Sequence, residues 1–200
     1  MAGGNEPSYV WFAGAPKWFW ATNTGAAIAL PADTVAYGAA WATPVGWSDG
    51  LKTQGMPSFQ PTFENRDLET DQDDEAIHAW RTANGFSFKI PMLDATLASL
   101  NRALGQGTIT AGANGSTLAV GGDTPIVSWF SIGMEGYKPG GISAATPKAR
   151  RLWVPKCTPT AVSELGYDRK QEKVVEVTFK AYIDTDQAVG KRLWSLGDLT

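Results

Sequence analysis

Few residues of this 200-residue chain are of types that perform covalent chemistry, and they stand far apart. Cys157 is the only cysteine and His78 the only histidine. One thiol cannot close an intrachain disulfide or build a thiolate metal cluster, and a lone cysteine reads first as a small core residue. A Ser–His–Asp relay through His78 lacks the Gly-x-Ser-x-Gly turn that would hold its nucleophile, so His78 reads as a surface or edge residue. Asp67, Glu69 and Asp71 imitate the opening of a calcium loop. Gln72 then stands where the sharp turn needs glycine, and His78 where the bidentate glutamate belongs. Gly105-Gln106-Gly107 follows a helical pattern instead of a strand and fails as a dinucleotide loop, and no Walker-type loop is present. Asn114-Gly115-Ser116 fits a glycosylation sequon, which has meaning only in a secreted chain. The nine tryptophans could form a sugar-binding platform or fill a core and subunit contacts. These residues predict no catalytic activity, no metal site and no required cofactor.

Charge is patterned more strongly than the net value of −3 suggests. Between Glu64 and Glu75 the acids Glu64, Asp67, Glu69, Asp71, Asp73, Asp74 and Glu75 face one base, Arg66. Lys148, Arg150, Arg151 and Lys156 form a weaker basic segment. The acidic total disfavours sequence-specific DNA binding. Seven acids repel one another too strongly to pack together. They read as a loop over residues 64–80, either solvated or reaching the basic segment of an adjacent copy.

The elements that must position these residues are mostly strands. With 43% hydrophobic residues the chain can bury a core, and its length suits one domain over 1–200. In Ser58-Phe59-Gln60-Pro61-Thr62-Phe63-Glu64 the apolar and polar side chains alternate, which predicts a strand with one wet face. Pro61 places it at an edge or bulge. Phe86-Ser87-Phe88-Lys89-Ile90 alternates in the same way. So does Val175 to Ile183, with Glu176, Thr178 and Lys180 on the wet side. Thr108–Thr110 and Thr117–Val120 flank Asn114-Gly115 as a hairpin. Ile126 to Met134 and Leu152 to Cys157 read as further strands. One helix is expected, capped by Asp94, with Leu97, Leu100 and Leu104 on its apolar stripe and Gly105 as its stop. Strands, one helix, then strands predict two packed antiparallel sheets, a sandwich or partial barrel, flanked by that helix.

Residues 1–22 are unusual. Tyr9, Val10, Trp11 and Phe12, then Trp18, Phe19 and Trp20, are too apolar to lie in water. They are either core strands or an aromatic arm that docks on a neighbour. No apolar run is long enough to span a bilayer. The first residues lack the basic start of a secretory signal, which predicts folding in a cytoplasm.

Two stretches together resemble a known family. One runs from Gly46-Trp47-Ser48-Asp49-Gly50 through Phe59-Gln60-Pro61-Thr62-Phe63-Glu64 and the acidic run to Ile90-Pro91-Met92-Leu93-Asp94 and Leu104-Gly105. The other joins Arg151-Leu152-Trp153-Val154-Pro155-Lys156-Cys157 to Val177-Thr178-Phe179-Lys180-Ala181-Tyr182. In this order they resemble the major tail (tail tube) proteins of long non-contractile-tailed bacteriophages. The resemblance implies a structural subunit that forms stacked hexameric rings, with four strands of each copy lining a lumen that conducts DNA. It implies partners that are copies of the chain and other tail proteins, transient non-specific contact with phage DNA, no membrane, and residence in the virion tail after synthesis in the bacterial host cytoplasm. Gln60, Thr62, Glu64, Ser87, Lys89, Glu176, Thr178 and Lys180 would then face the lumen. Phe59, Phe63, Phe86, Phe88, Val175, Val177 and Phe179 would be buried behind them. Subunit contacts are expected at Trp11, Phe12, Trp18, Phe19 and Trp20, and between Asp71, Asp73 and Asp74 and the bases Lys148, Arg150 and Arg151. Another tail or baseplate protein of this fold, or a carbohydrate-binding module on the virion surface, are the alternatives.

Overall fold

The computed structural model describes residues 12–25, 28–31, 35–41, 46–50, 52–55, 57–70, 73–93, 96–105, 107–121, 127–138, 148–163 and 174–199, without the side chains of 13–15, 49, 68–70 and 73–78. In chain order the elements are β1 (Ala13–Thr22), β2 (Ser48–Asp49), β3 (Ser58–Thr70), β4 (Asp73–Met92), α1 (Leu97–Leu104), β5 (Thr108–Gly112), β6 (Gly115–Ala119), β7 (Phe130–Tyr137), β8 (Ala149–Val162), β9 (Val175–Ala181) and β10 (Ser195–Asp198). The protein is mainly β. An eight-stranded antiparallel sheet runs β2-β1-β7-β8-β9-β4-β3, with β10 added to β8, and β5-β6 form a separate hairpin.

The large sheet curls because β8 serves two layers. Its first half, Arg150 to Trp153, lies between β7 and β10. Its second half, Cys157 to Val162, pairs with β9. Between them Phe130 faces Cys157 while Ile132 faces Val154, so β8 carries one residue more than β7. Such a bulge bends a strand and raises its twist. Pro155 lies in it and has no N–H to misplace. Its carbonyl accepts from Ser131 Oγ and from Asn23 Nδ2, the latter at 2.9 Å.

The curl brings two strand sets face to face. Trp18 and Trp20 of β1, Ile132 and Met134 of β7, and Leu152 and Val154 of β8 share one core with Phe86, Phe88 and Ile90 of β4 and Val177 and Phe179 of β9. Trp20 meets Phe179 edge-on at 5.3 Å, although β1 and β9 are not neighbours in the sheet. The reverse side of β1 and β8 is covered as well. There Phe19, Ala21 and Trp153 pack with Trp41 and Trp47 from the irregular stretch before β3.

This double cover corrects one sequence-based expectation. Trp18, Phe19 and Trp20 are at most 2% exposed and Phe12 is 4% exposed, so they have no surface to dock on another subunit. They form a strand apolar on both sides because a core lies on each side. Trp11 lies outside the described residues.

The acidic run is likewise not a loop. Its residues continue β3 and β4 as a long hairpin, paired from Ser58↔Lys89 to Thr70↔Asp73 with register shifts at Glu64/Asn65 and Leu68/Thr70. A ladder satisfies the backbone in either solvent or core, so repelling side chains do not prevent it. Asn84-Gly85 lies within β4.

Helix α1 is where the leucine spacing predicts it, but it is capped by Thr96, whose side chain accepts from Ser99 N, and not by Asp94, which lies outside the described residues. Its most buried residues are Ser99 and Ala103, with Leu97, Leu100 and Leu104 half-buried beside them. Gly105 ends it at φ 67°, and a Cβ there would meet Pro159 Cγ at 2.5 Å.

Candidate polar face and projecting arm

Alternation along β3, β4 and β9 places the predicted wet residues on one side of the sheet. Register then aligns them across strands. Gln60 faces Ser87, Ser87 faces Lys180, and Lys180 faces Thr158 of β8. Ser58 faces Lys89, which faces Thr178. Glu176 faces Pro91, and Thr62 faces Gly85. The result is a polar face four strands wide, from β3 to the second half of β8. Gln60, Thr62, Glu64, Lys89, Glu176 and Lys180 are exposed on it, and Ser87 and Thr178 are half-buried. Among these eight residues two carboxylates, Glu64 and Glu176, stand against two ammonium groups, Lys89 and Lys180, and Lys156 adds a third at the edge.

The opposite side is the core for Phe86, Phe88, Val177 and Phe179, while Phe59 and Val175 are half-buried. Phe63 departs from expectation at 54% exposed. Strand β3 has outrun the core at that point, and the Arg81 guanidinium lies over the ring, 4.1 Å from its centre.

Beyond Thr62 and Gly85 the hairpin is an arm. Among the described residues no further strand pairs with it, and β9 reaches only residues 87–92 of β4. Residues 62–67 and 79–84 are exposed throughout. At about 3.3 Å per residue, Thr62 to Thr70 project about 26 Å. Asp71 lies outside the described residues, and Asp73 and Asp74 are placed only by their backbone.

The basic segment is not the free patch its sequence suggests. Arg151 is buried and its Nε meets Glu135 Oε1 at 2.8 Å. Arg150 holds Asp198 with two bonds of 2.6 and 3.0 Å, and Lys138 reaches the same carboxylate at 3.3 Å. The Arg150 hydrogen bond lowers the pKa of the Asp198 carboxyl and is itself the main reason the guanidinium's is raised. Lys148 remains exposed. Sequence reasoning could not see these pairings because the partners lie on other strands.

Lys156 belongs to a different group, missed in the sequence. Tyr182 N donates to Lys156 O, continuing the β8–β9 ladder past Cys157↔Ala181. Lys156, Thr158, Lys180 and Tyr182 therefore share the polar side at the β8–β9 corner. The Lys156 ammonium lies 4.7 Å from the Trp129 ring centre and the Lys180 ammonium 5.6 Å from that of Tyr182. The two rings meet edge-on at 5.1 Å.

Cys157 faces the core beside this corner. Burial pushes its thiol well above the usual range, and Sγ donates to Phe130 O at 3.3 Å. Among the described residues no three His, Cys, Asp or Glu side chains gather as metal ligands, and no helix is long and apolar enough to cross a membrane. Compared with known proteins, the chain matches no protein family and no curated protein.

Proposed function

We propose that this chain is a structural subunit of a bacteriophage tail tube, assembling into hexameric rings that stack around a DNA-conducting lumen. The observation that carries the reading is the exposed polar face four strands wide, on a sheet whose opposite side forms the core. The resemblance of the two sequence stretches supports it. Six such faces bring 24 strands, which at about 4.8 Å spacing form a wall with a perimeter of about 115 Å. Strand tilt widens it further. Even without tilt the backbone diameter is about 37 Å, and side chains leave a bore of about 25 Å, wide enough for a duplex. Scattered lysines interleaved with Gln, Ser and Thr suit passage, because rows of phosphate-binding cations would retain DNA. Partners would be further copies and, at the tube ends, other tail proteins, in the virion tail.

A sugar-binding platform is disfavoured by burial of Trp18, Trp20, Trp41, Trp47 and Trp153. Electron microscopy of the purified chain tests the proposal. Rings that stack into tubes are expected. Dispersed monomers at millimolar concentration would refute it.

A further inference from the structure

Register places Lys156, Lys180 and Lys89 of the polar face on one diagonal. Lys180 of β9 faces Thr158 of β8 on one side and Ser87 of β4 on the other. Lys156 lies one side-chain step from Thr158, level with Tyr182. Lys89 lies one step from Ser87 in the opposite direction, level with Thr178. From Lys156 to Lys180 to Lys89 the path therefore moves one strand sideways and one side chain along at each step. With about 4.8 Å between strands and about 6.6 Å between like-facing side chains, neighbours on this diagonal are about 8 Å apart. The carboxylates of the face lie beyond its two ends. Glu176 faces Pro91, one step past the level of Lys89, and Glu64 faces Ala83, one step past the level of Lys156. The ion pairs of the described residues involve none of the three lysines. Lys89 and Lys180 are exposed, and Lys156 is half-buried.

We infer that the Lys156–Lys180–Lys89 diagonal is a binding stripe for the phosphate backbone of duplex DNA. The identity of the polyanion rests on the DNA-conducting reading above, but the stripe is whole within a single copy. Its spacing is comparable with that of successive phosphates, so one DNA strand laid along it meets an ammonium group at each of about three phosphates. Ser58, Gln60, Thr62, Ser87 and Thr178 around it add hydroxyl and amide donors. These side chains rise from an open sheet surface and are too short to reach base edges in a groove, so the contact carries no sequence preference. The Trp129 and Tyr182 rings hold the Lys156 and Lys180 ammonium groups at 4.7 and 5.6 Å, which lowers the side-chain entropy lost on binding. Glu64 and Glu176 limit the length of the stripe. Three contacts bounded by acids give a weak, salt-labile hold that breaks and re-forms as DNA moves, unlike a continuous row of cations.

Fluorescence anisotropy of a short labelled duplex, titrated with the full chain over a range of salt concentrations, tests this. Neutralising three phosphates predicts a slope of log K against log salt of about −2.7 for each bound copy. Lys89→Gln, Lys156→Gln and Lys180→Gln should each weaken binding at low salt and make the slope shallower by about 0.9. Lys180→Arg, which keeps the charge, should keep the slope. The triple Gln variant should not bind, while Lys148→Gln, exposed but outside this face, should bind as wild type. A wild type that does not bind at low salt, stripe variants with the wild-type slope, or an equal loss in Lys148→Gln would overturn the inference. So would polyglutamate of equal charge competing as strongly as unlabelled duplex, which would assign the face to acidic peptides. A chain that binds duplex through these lysines but never forms rings keeps the stripe and loses the tube reading. Tubes built from a chain that does not bind duplex give the reverse result.

Discussion

Glu135 and Arg151 stand opposite each other on β7 and β8, and their charges meet at 2.8 Å with both side chains at most 4% exposed. The second carboxylate oxygen accepts from Gly38 N at 2.8 Å, and an Arg151 Nη donates to Val35 O at 2.7 Å. Lys17, opposite Glu135 on β1, donates to Gly38 O at 2.7 Å. One buried ion pair thus anchors the irregular stretch that covers the second core.

Glu135→Ala leaves the guanidinium buried without its carboxylate. The expected loss is about 3–5 kcal/mol of stability, read by urea unfolding. Glu135→Leu combined with Arg151→Met should cost much less, because no charge is stranded. Equal losses in the two variants would contradict this account.

Gly133 lies between Phe19 on β1 and Trp153 on β8, beneath Trp41. Trp41 stacks on Phe19 at 4.0 Å, and a Cβ at Gly133 would lie 2.1 Å from its ring. Gly133→Ala should therefore displace the indole and destabilise the fold by about 1–3 kcal/mol. Gly197→Ala, which meets open space, serves as control. Denaturant titration and Trp near-ultraviolet dichroism distinguish the two.

Tyr37 stacks on Tyr137 at 4.2 Å, and burial, followed by the neighbouring Tyr137, pushes its hydroxyl up to about 12. The folded state thus keeps a proton that the unfolded chain releases near about pH 10. This contribution is complete below that value and declines as pH rises through about 12. Phenolate absorbance should show one late tyrosine that Tyr37→Phe removes. Stability of that variant should fall less steeply than wild type above about pH 10.

Cys157 should not react with a thiol reagent in the native state. Its thiol is buried and its thiolate disfavoured. Reaction is expected to follow the unfolding transition in urea; prompt labelling in native buffer would show the site to be open.

Much of the sheet was legible in sequence because Phe86 to Met92 and Val175 to Ala181 alternate cleanly. The Asn114-Gly115 hairpin and the stop at Gly105 were legible from backbone chemistry alone. The aromatic run at Trp18 to Trp20 was ambiguous, since a strand with a core on both sides and a sticky terminal arm have the same composition. The arm misled because charge repulsion argues against side-chain packing but says nothing about a backbone ladder. Arg151 resembled a surface cation because its carboxylate lies one strand away. The Trp129–Tyr182 corner depends on register and had no local signal. Among the described residues no acceptor meets the buried indole N–H groups of Trp18, Trp20, Trp41 and Trp153.

The pairing of Phe19 with Gly133 has a consequence for how the chain is made. Strand β1 leaves the ribosome well before β7, which follows it by about a hundred residues. At ordinary elongation rates that interval lasts about 6–20 s. Throughout it, Trp18, Phe19 and Trp20 have neither of the cores that later cover them. The nascent protein therefore presents its stickiest segment for longest, and its yield in a cell depends on what shields that segment until β7 arrives.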